Sequence, residues 1–175
     1  MDVSGNHATP AFVSCRHAAT LTFMDTPGAV PPDADDVALW NLMSEYNWDD
    51  GFAVPVAVVQ HAQCDRALAL RLFWELDDAA RIHLSDEENA LREHYSAEAA
   101  YAPENFQHIV AYATTLTSRL RRGDNPDGAN EYDTGYMSVD LPDQTERQRK
   151  LRELRTARAR REYDDAFLRP ALSTG

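Results

Sequence analysis

The stretch Arg66-Ala67-Leu68-Ala69-Leu70-Arg71-Leu72-Phe73-Trp74-Glu75-Leu76 decides the fold. From Ala67 to Leu76 only Arg71 and Glu75 are polar, so a helix built on this run is apolar nearly all round. Such a helix belongs at the centre of a bundle, because any solvated side would leave apolar area in water. Asp65 stands immediately before it and can accept from the unpaired N–H groups of the first turn, which predicts a helix over Arg66–Ile82.

Upstream, Asp33 or Asp35 can cap a helix to about Tyr46, with Val37, Trp40, Met43 and Tyr46 as its buried stripe. Asn47-Trp48-Asp49-Asp50-Gly51-Phe52 has turn chemistry, and Pro55 suits the first turn of a short helix through Gln60. Residues 1–32 are poorly patterned and end in the Pro27-Gly28 and Pro31-Pro32 breakers; only Ala11–Met24 has the character of a short strand or hairpin. Downstream, Asp86–Ala100 reads as a helix with Leu91 and Tyr95 one turn apart. Pro103 opens another, whose stripe Phe106, Ile109, Val110, Ala113, Leu116 and Leu120 follows i, i+3, i+4 spacing. Arg119, Arg121, Arg122 and then Gly123 supply its cationic end and left-handed cap. Residues 123–142 form a long loop with a short extended piece near Tyr136–Val139, and Asp143 begins a charged helix to about Leu168. The expected architecture is mainly α: a compact bundle of about five to six helices around the central apolar one. It comprises an irregular arm (1–32), a helical core (33–142) and a basic C-terminal helix (143–175) packed on the core or extending from it.

The chain has 175 residues, 43% of them hydrophobic, enough for one core. No run approaches the roughly 20 apolar residues of a membrane span. Met1–Pro10 lacks the basic patch and apolar run of a secretory signal, so a cytoplasmic protein is expected, with Cys15 and Cys64 as reduced thiols. The net charge of −12 conceals an asymmetry: Glu146–Glu162 holds eight basic residues against three acids, leaving −17 on the remainder. An acidic body of that size steers basic partners inward and disfavours nucleic acid and anionic membrane. The basic helix has the charge of a nucleic-acid-binding segment but no aromatic residue until Tyr163, so docking on the acidic body, through a seam of Leu151, Leu154, Tyr163 and Phe167, is the simpler expectation.

No complete catalytic set or metal site is expected, and no cofactor. The histidines His7, His17, His61, His83, His94 and His108 show no paired metal spacing, and only Cys15-x-His17 and His61-x-x-Cys64 place a thiol near an imidazole. A Cys64/His61 dyad is disfavoured by the charge of Asp65 beside the thiol. The carboxylate pairs Asp35-Asp36, Asp49-Asp50, Asp77-Asp78, Glu87-Glu88 and Asp164-Asp165 read as solvated faces or caps, because neighbours on a helix diverge by about 100°. Asp49-Asp50, between Trp48 and Phe52, is the pair most open to a chemical role, and a small hydrolase using these two acids with a histidine is one alternative reading.

Tyr46-Asn47-Trp48-Asp49-Asp50-Gly51-Phe52, then Pro55, Cys64-Asp65, Ala69-Leu70 and Phe73-Trp74 resemble an uncharacterised bacterial domain family. That family has an Asn-Trp-Asp-Asp-Gly-Phe signature followed by Cys-Asp and a Leu-Phe-Trp helix. The resemblance covers about Val37–Arg81. It implies no enzymatic reaction, and it implies a relation to small acidic proteins encoded beside polymorphic or type VI secreted toxins as their immunity proteins. Taken with the charge, this gives the leading expectation: a cytoplasmic protein that binds and blocks a cognate, basic toxin. The expected partner-binding acids are Asp33, Asp35, Asp36, Asp77, Asp78, Glu87 and Glu88. Trp48, Asp49, Asp50, Gly51, Phe52, Cys64, Asp65, Phe73 and Trp74 form the structural motif. A further alternative is a non-catalytic adaptor or regulatory protein that uses the basic helix.

Overall fold

The computed structural model describes residues 30–75, 88–137 and 144–172. Among them lie eight α-helices: α1 (Asp36–Ser44), α2 (Ala53–Gln60), α3 (Arg66–Glu75), α4 (Glu88–His94), α5 (Ser96–Tyr101), α6 (Pro103–Arg122), α7 (Glu146–Ala159) and α8 (Asp165–Leu168). A 3-10 turn, Trp48–Asp50, separates α1 from α2. The described residues contain no β-strand, and one antiparallel bridge joins Tyr132 to Ala171.

The mainly helical bundle is the one expected from sequence, with more helices because two expected ones are each broken. The Asp86–Ala100 helix divides at Tyr95, whose ring turns inward to meet Phe52 at 6.2 Å. The C-terminal helix stops at Ala159, and the turn that follows lets Phe167 of α8 reach the core, where it stacks on Phe73 at 4.4 Å. Asp143, the expected start of that helix, lies outside the described residues. The first described turn is instead closed by a capping box in which Thr145 and Gln148 satisfy each other's backbone N–H groups.

Two helices organise the packing. On α3, Ala67, Leu68, Ala69, Leu70, Leu72 and Phe73 are all buried, as the apolar run requires; the rest of its expected extent, to Ile82, lies outside the described residues. Its mid-helix charge faces α1: Arg71 stacks over the Trp40 ring at 4.5 Å, donates to Ser44 Oγ at 2.6 Å and pairs with Glu75. The long helix α6 touches α2, α3, α4, α5 and α8. Its buried face is Phe106, Ile109, Tyr112, Ala113, Leu116 and Leu120, while Val110 is only half-buried. Tyr112 tolerates complete burial because its hydroxyl donates to Leu72 O at 3.1 Å. Gly123 ends α6 in the left-handed conformation, φ +70°, as the sequence predicts.

Two stripes differ from expectation. On α1 the buried pair is Leu39 and Met43, one turn apart, whereas Val37 is exposed and Trp40 and Tyr46 are half-buried. On α7 the inner edge is Thr156 and Ala159 rather than Leu151 and Leu154, which are exposed. That edge leans on the loop before it: Arg152 forms an ion pair with Asp133, and Thr156 Oγ accepts from Met137 N at 2.6 Å. The extended contact in this loop occurs at Tyr132, upstream of the expected Tyr136–Val139, whose last two residues are not described.

Candidate functional site

Asn47 opens the turn by accepting from Asp49 N at 3.3 Å and donating to Asp50 Oδ1 at 3.4 Å. Gly51 follows at φ +90°, where a side chain would be strained and its Cβ would collide with Asn105 Oδ1 at 2.7 Å. That Asn105 oxygen accepts from Phe52 N at 2.8 Å, and Tyr46 Oη donates to Gly51 O at 2.7 Å. Trp48 packs edge-on against Tyr46 and Tyr112 and tilts onto Phe52. The motif is thus a rigid turn clamped on an aromatic cluster, with Asp49 and Asp50 left exposed on its outside.

His61, Cys64 and Asp65 join α2 to α3. His61 Nε2 donates to Pro32 O at 3.3 Å and Nδ1 accepts from Gln63 N at 3.1 Å, so both ring nitrogens hold backbone. Cys64 is fully buried, and burial pushes its thiol up to about 12, with Asp65 adding to the rise and Arg119 opposing it. A thiol so placed stays protonated and shielded, which is the opposite of what a nucleophile needs. Asp65 is also buried. Its Oδ1 caps α3 by accepting from Leu68 N at 2.7 Å, and its Oδ2 accepts from Asn130 Nδ2 at 2.8 Å.

Asn130 belongs to the long loop expected over residues 123–142, whose contacts were not legible in the sequence. It also donates to Asp36 O at 3.1 Å, while Asp36 Oδ2 accepts from Ala129 N at 2.5 Å. Gly128 lies so close to the carboxylates of Asp36 and Asp65 that a Cβ there would overlap both. Asn125 Nδ2 donates to Cys64 O, and Arg66 N donates to Pro126 O, each at 3.0 Å. The loop is therefore stitched to the starts of α1 and α3, and the Asp36–Asp65 pair is satisfied by donors from it.

The expected partner-binding acids separate into distinct tasks. Asp33 is exposed; Asp35 caps α1 by accepting from Ala38 N at 2.7 Å; Asp36 anchors the loop; and Glu88 pairs with Arg92 at 2.5 Å. Asp77, Asp78 and Glu87 lie outside the described residues, as do Cys15, His7, His17 and His83. Among the described residues no three His, Cys, Asp or Glu side chains converge as a metal site, and no helix is long and apolar enough to cross a membrane.

Comparison with known families yields a match to DUF4274, a domain of unknown function. The matched segment, residues 34–109, covers less than half of the chain. It contains the clamped turn, the Cys64-Asp65 junction and α3, and it ends inside α6. The core that this segment helps to build is completed from beyond that point, by Tyr112, Leu116 and Leu120 of α6 and Phe167 of α8. No curated protein and no solved structure matches the chain.

Proposed function

We propose that this protein is an immunity protein, one that binds a cognate bacterial toxin of the secreted polymorphic or type VI kind in the cytoplasm and occludes its active site. The observation that carries the reading is the charge partition: −17 outside Glu146–Glu162, with acids exposed on rigid, capped elements. Asp33 and Asp35 stand at the start of α1, Glu45 just past its end, and Asp49 and Asp50 on the clamped turn. Carboxylates held on fixed backbone raise the encounter rate with a basic surface and lose little entropy on docking. The adjacent aromatic cluster keeps the turn in shape. The match of residues 34–109 to a family of unknown function is compatible with this reading and supplies no reaction of its own.

A hydrolase built on Asp49 and Asp50 draws less support. Asp50 is tied to Asn47, and among the described residues no histidine joins the two acids in a converging cluster.

Co-expression with toxins encoded beside this gene tests the proposal. Rescue of growth against one of them, and co-elution of the pair in size-exclusion chromatography, are expected. Rescue should weaken when Asp33→Asn, Asp49→Asn and Asp50→Asn are combined in a protein that remains folded. No rescue from any neighbouring toxin, together with no co-elution, overturns it.

A further inference from the structure

The inner edge of α7 is occupied by the loop at Asp133–Met137, but its outer side has no covering element among the described residues. Arg147, Leu151, Leu154 and Arg158 recur there at i, i+4, i+7 and i+11, which places them on one stripe. Leu151 is 46% and Leu154 68% exposed. Within this helix and its flanks, Lys150 pairs with Glu146, Arg152 with Asp133 and Arg160 with Asp165. Arg147, Arg155 and Arg158 have no carboxylate partner among the described residues. Arg155 and Arg158 also line a groove of about 450 Å³ beside the stripe, with Tyr136, Tyr163 and one carboxylate, Glu162.

Leucines at the middle of a solvated stripe and like charges one turn apart are both unfavourable in the isolated protein. A partner carrying apolar side chains framed by carboxylates relieves both at once. We propose that the outer face of α7 docks an acidic amphipathic helix of a second protein. Its apolar residues cover Leu151 and Leu154, and its carboxylates pair with Arg147, Arg155 and Arg158. A second copy docking α7 against α7 would oppose the same charges. A nucleic acid would set phosphates over the two leucines, and the nearby rings of Tyr136 and Tyr163 are already packed on Trp74 at 5.3 and 5.1 Å. This surface has the opposite sign to the acidic one proposed for toxin binding and does not depend on that reading.

Fluorescence anisotropy with the full-length protein tests it. The probe is a labelled synthetic helical peptide with leucines at i, i+3 and i+7 and glutamates around them. The comparisons are the same peptide with serine for leucine, and a single-stranded RNA of similar charge. The leucine peptide should bind tightest. Leu151→Ser with Leu154→Ser, and separately Arg155→Glu with Arg158→Glu, should each raise its Kd at least about tenfold at unchanged melting temperature. Three results overturn the proposal: no binding of the leucine peptide, equal or tighter binding of the serine peptide or the RNA, or unchanged affinity in the leucine variant.

Discussion

Phe73 has no exposed surface and stacks on Phe167, whereas its neighbour Trp74 is half-buried and donates through Nε1 to Phe167 O at 3.1 Å. Phe73→Ala should therefore cost about 3 to 5 kcal/mol in urea denaturation. Trp74→Ala should cost clearly less, because less of its ring is removed from water. The reverse order would contradict this packing. Cys64 gives a second residue-level prediction. Its thiol ionises near 9 in the unfolded chain and about 12 in the folded one. Above pH 9 the unfolded state releases a proton that the folded state keeps, so stability falls with rising pH, by up to about 1.4 kcal/mol per pH unit. Between pH 9 and 10, where burial of tyrosines such as Tyr112 adds to the same trend, Cys64→Ala should reduce that slope; an unchanged slope would show that Cys64 is not a source of it. At this scale the local devices were legible. Asp35, Asp65 and Gly123 act on groups within four residues, so their roles follow from spacing alone. Asn105 and Asn130 were not legible, because Phe52 N lies 53 residues from the first and Asp65 lies 65 residues from the second.

At the scale of elements, α7 is held at its inner edge by Arg152–Asp133 and Thr156–Met137. The hydrogen bond from Arg152 is the main cause holding the Asp133 carboxyl below the usual carboxylate range. The pair therefore contributes above the unfolded carboxylate pKa, about 3.9, and the contribution is lost as pH falls below it. Hydrogen exchange should show α7 amides losing protection on acidification before those of α6 do. Asp133→Asn should remove that difference by loosening α7 already at neutral pH; equal protection of α7 in wild type and variant would refute the tether. A truncation before Asp143 removes Phe167 and Leu168 from the core and Ala171 from its bridge to Tyr132. It should melt well below the full chain rather than leave an intact body. The breaks at Tyr95 and after Ala159 escaped sequence reading for one reason. The residues around them are acceptable in helices, and the turns bring Tyr95 and Phe167 onto distant rings, Phe52 and Phe73, that local sequence does not reveal.

Across the whole molecule, the charge separation was legible from the sequence, since it needs only a count. The sequence did not reveal which acids are committed internally. Asp36 looked like one more surface carboxylate, yet it accepts from Ala129 N, 93 residues away, whereas Asp33, Asp49 and Asp50 remain exposed. Likewise the apolar seam expected to hold the basic helix inward divides, with Tyr163 and Phe167 packed and Leu151 and Leu154 facing out. The protein thus offers an acidic surface and a separate basic one. The most direct test of the central claim is the association rate with a purified toxin from a neighbouring gene, measured by stopped flow from low to physiological salt. Steering by the acidic body predicts a stoichiometric complex whose association rate falls at least about tenfold over that range, and falls less after Asp33→Asn, Asp49→Asn and Asp50→Asn are combined. A salt-independent rate, or no complex at all, would contradict the account.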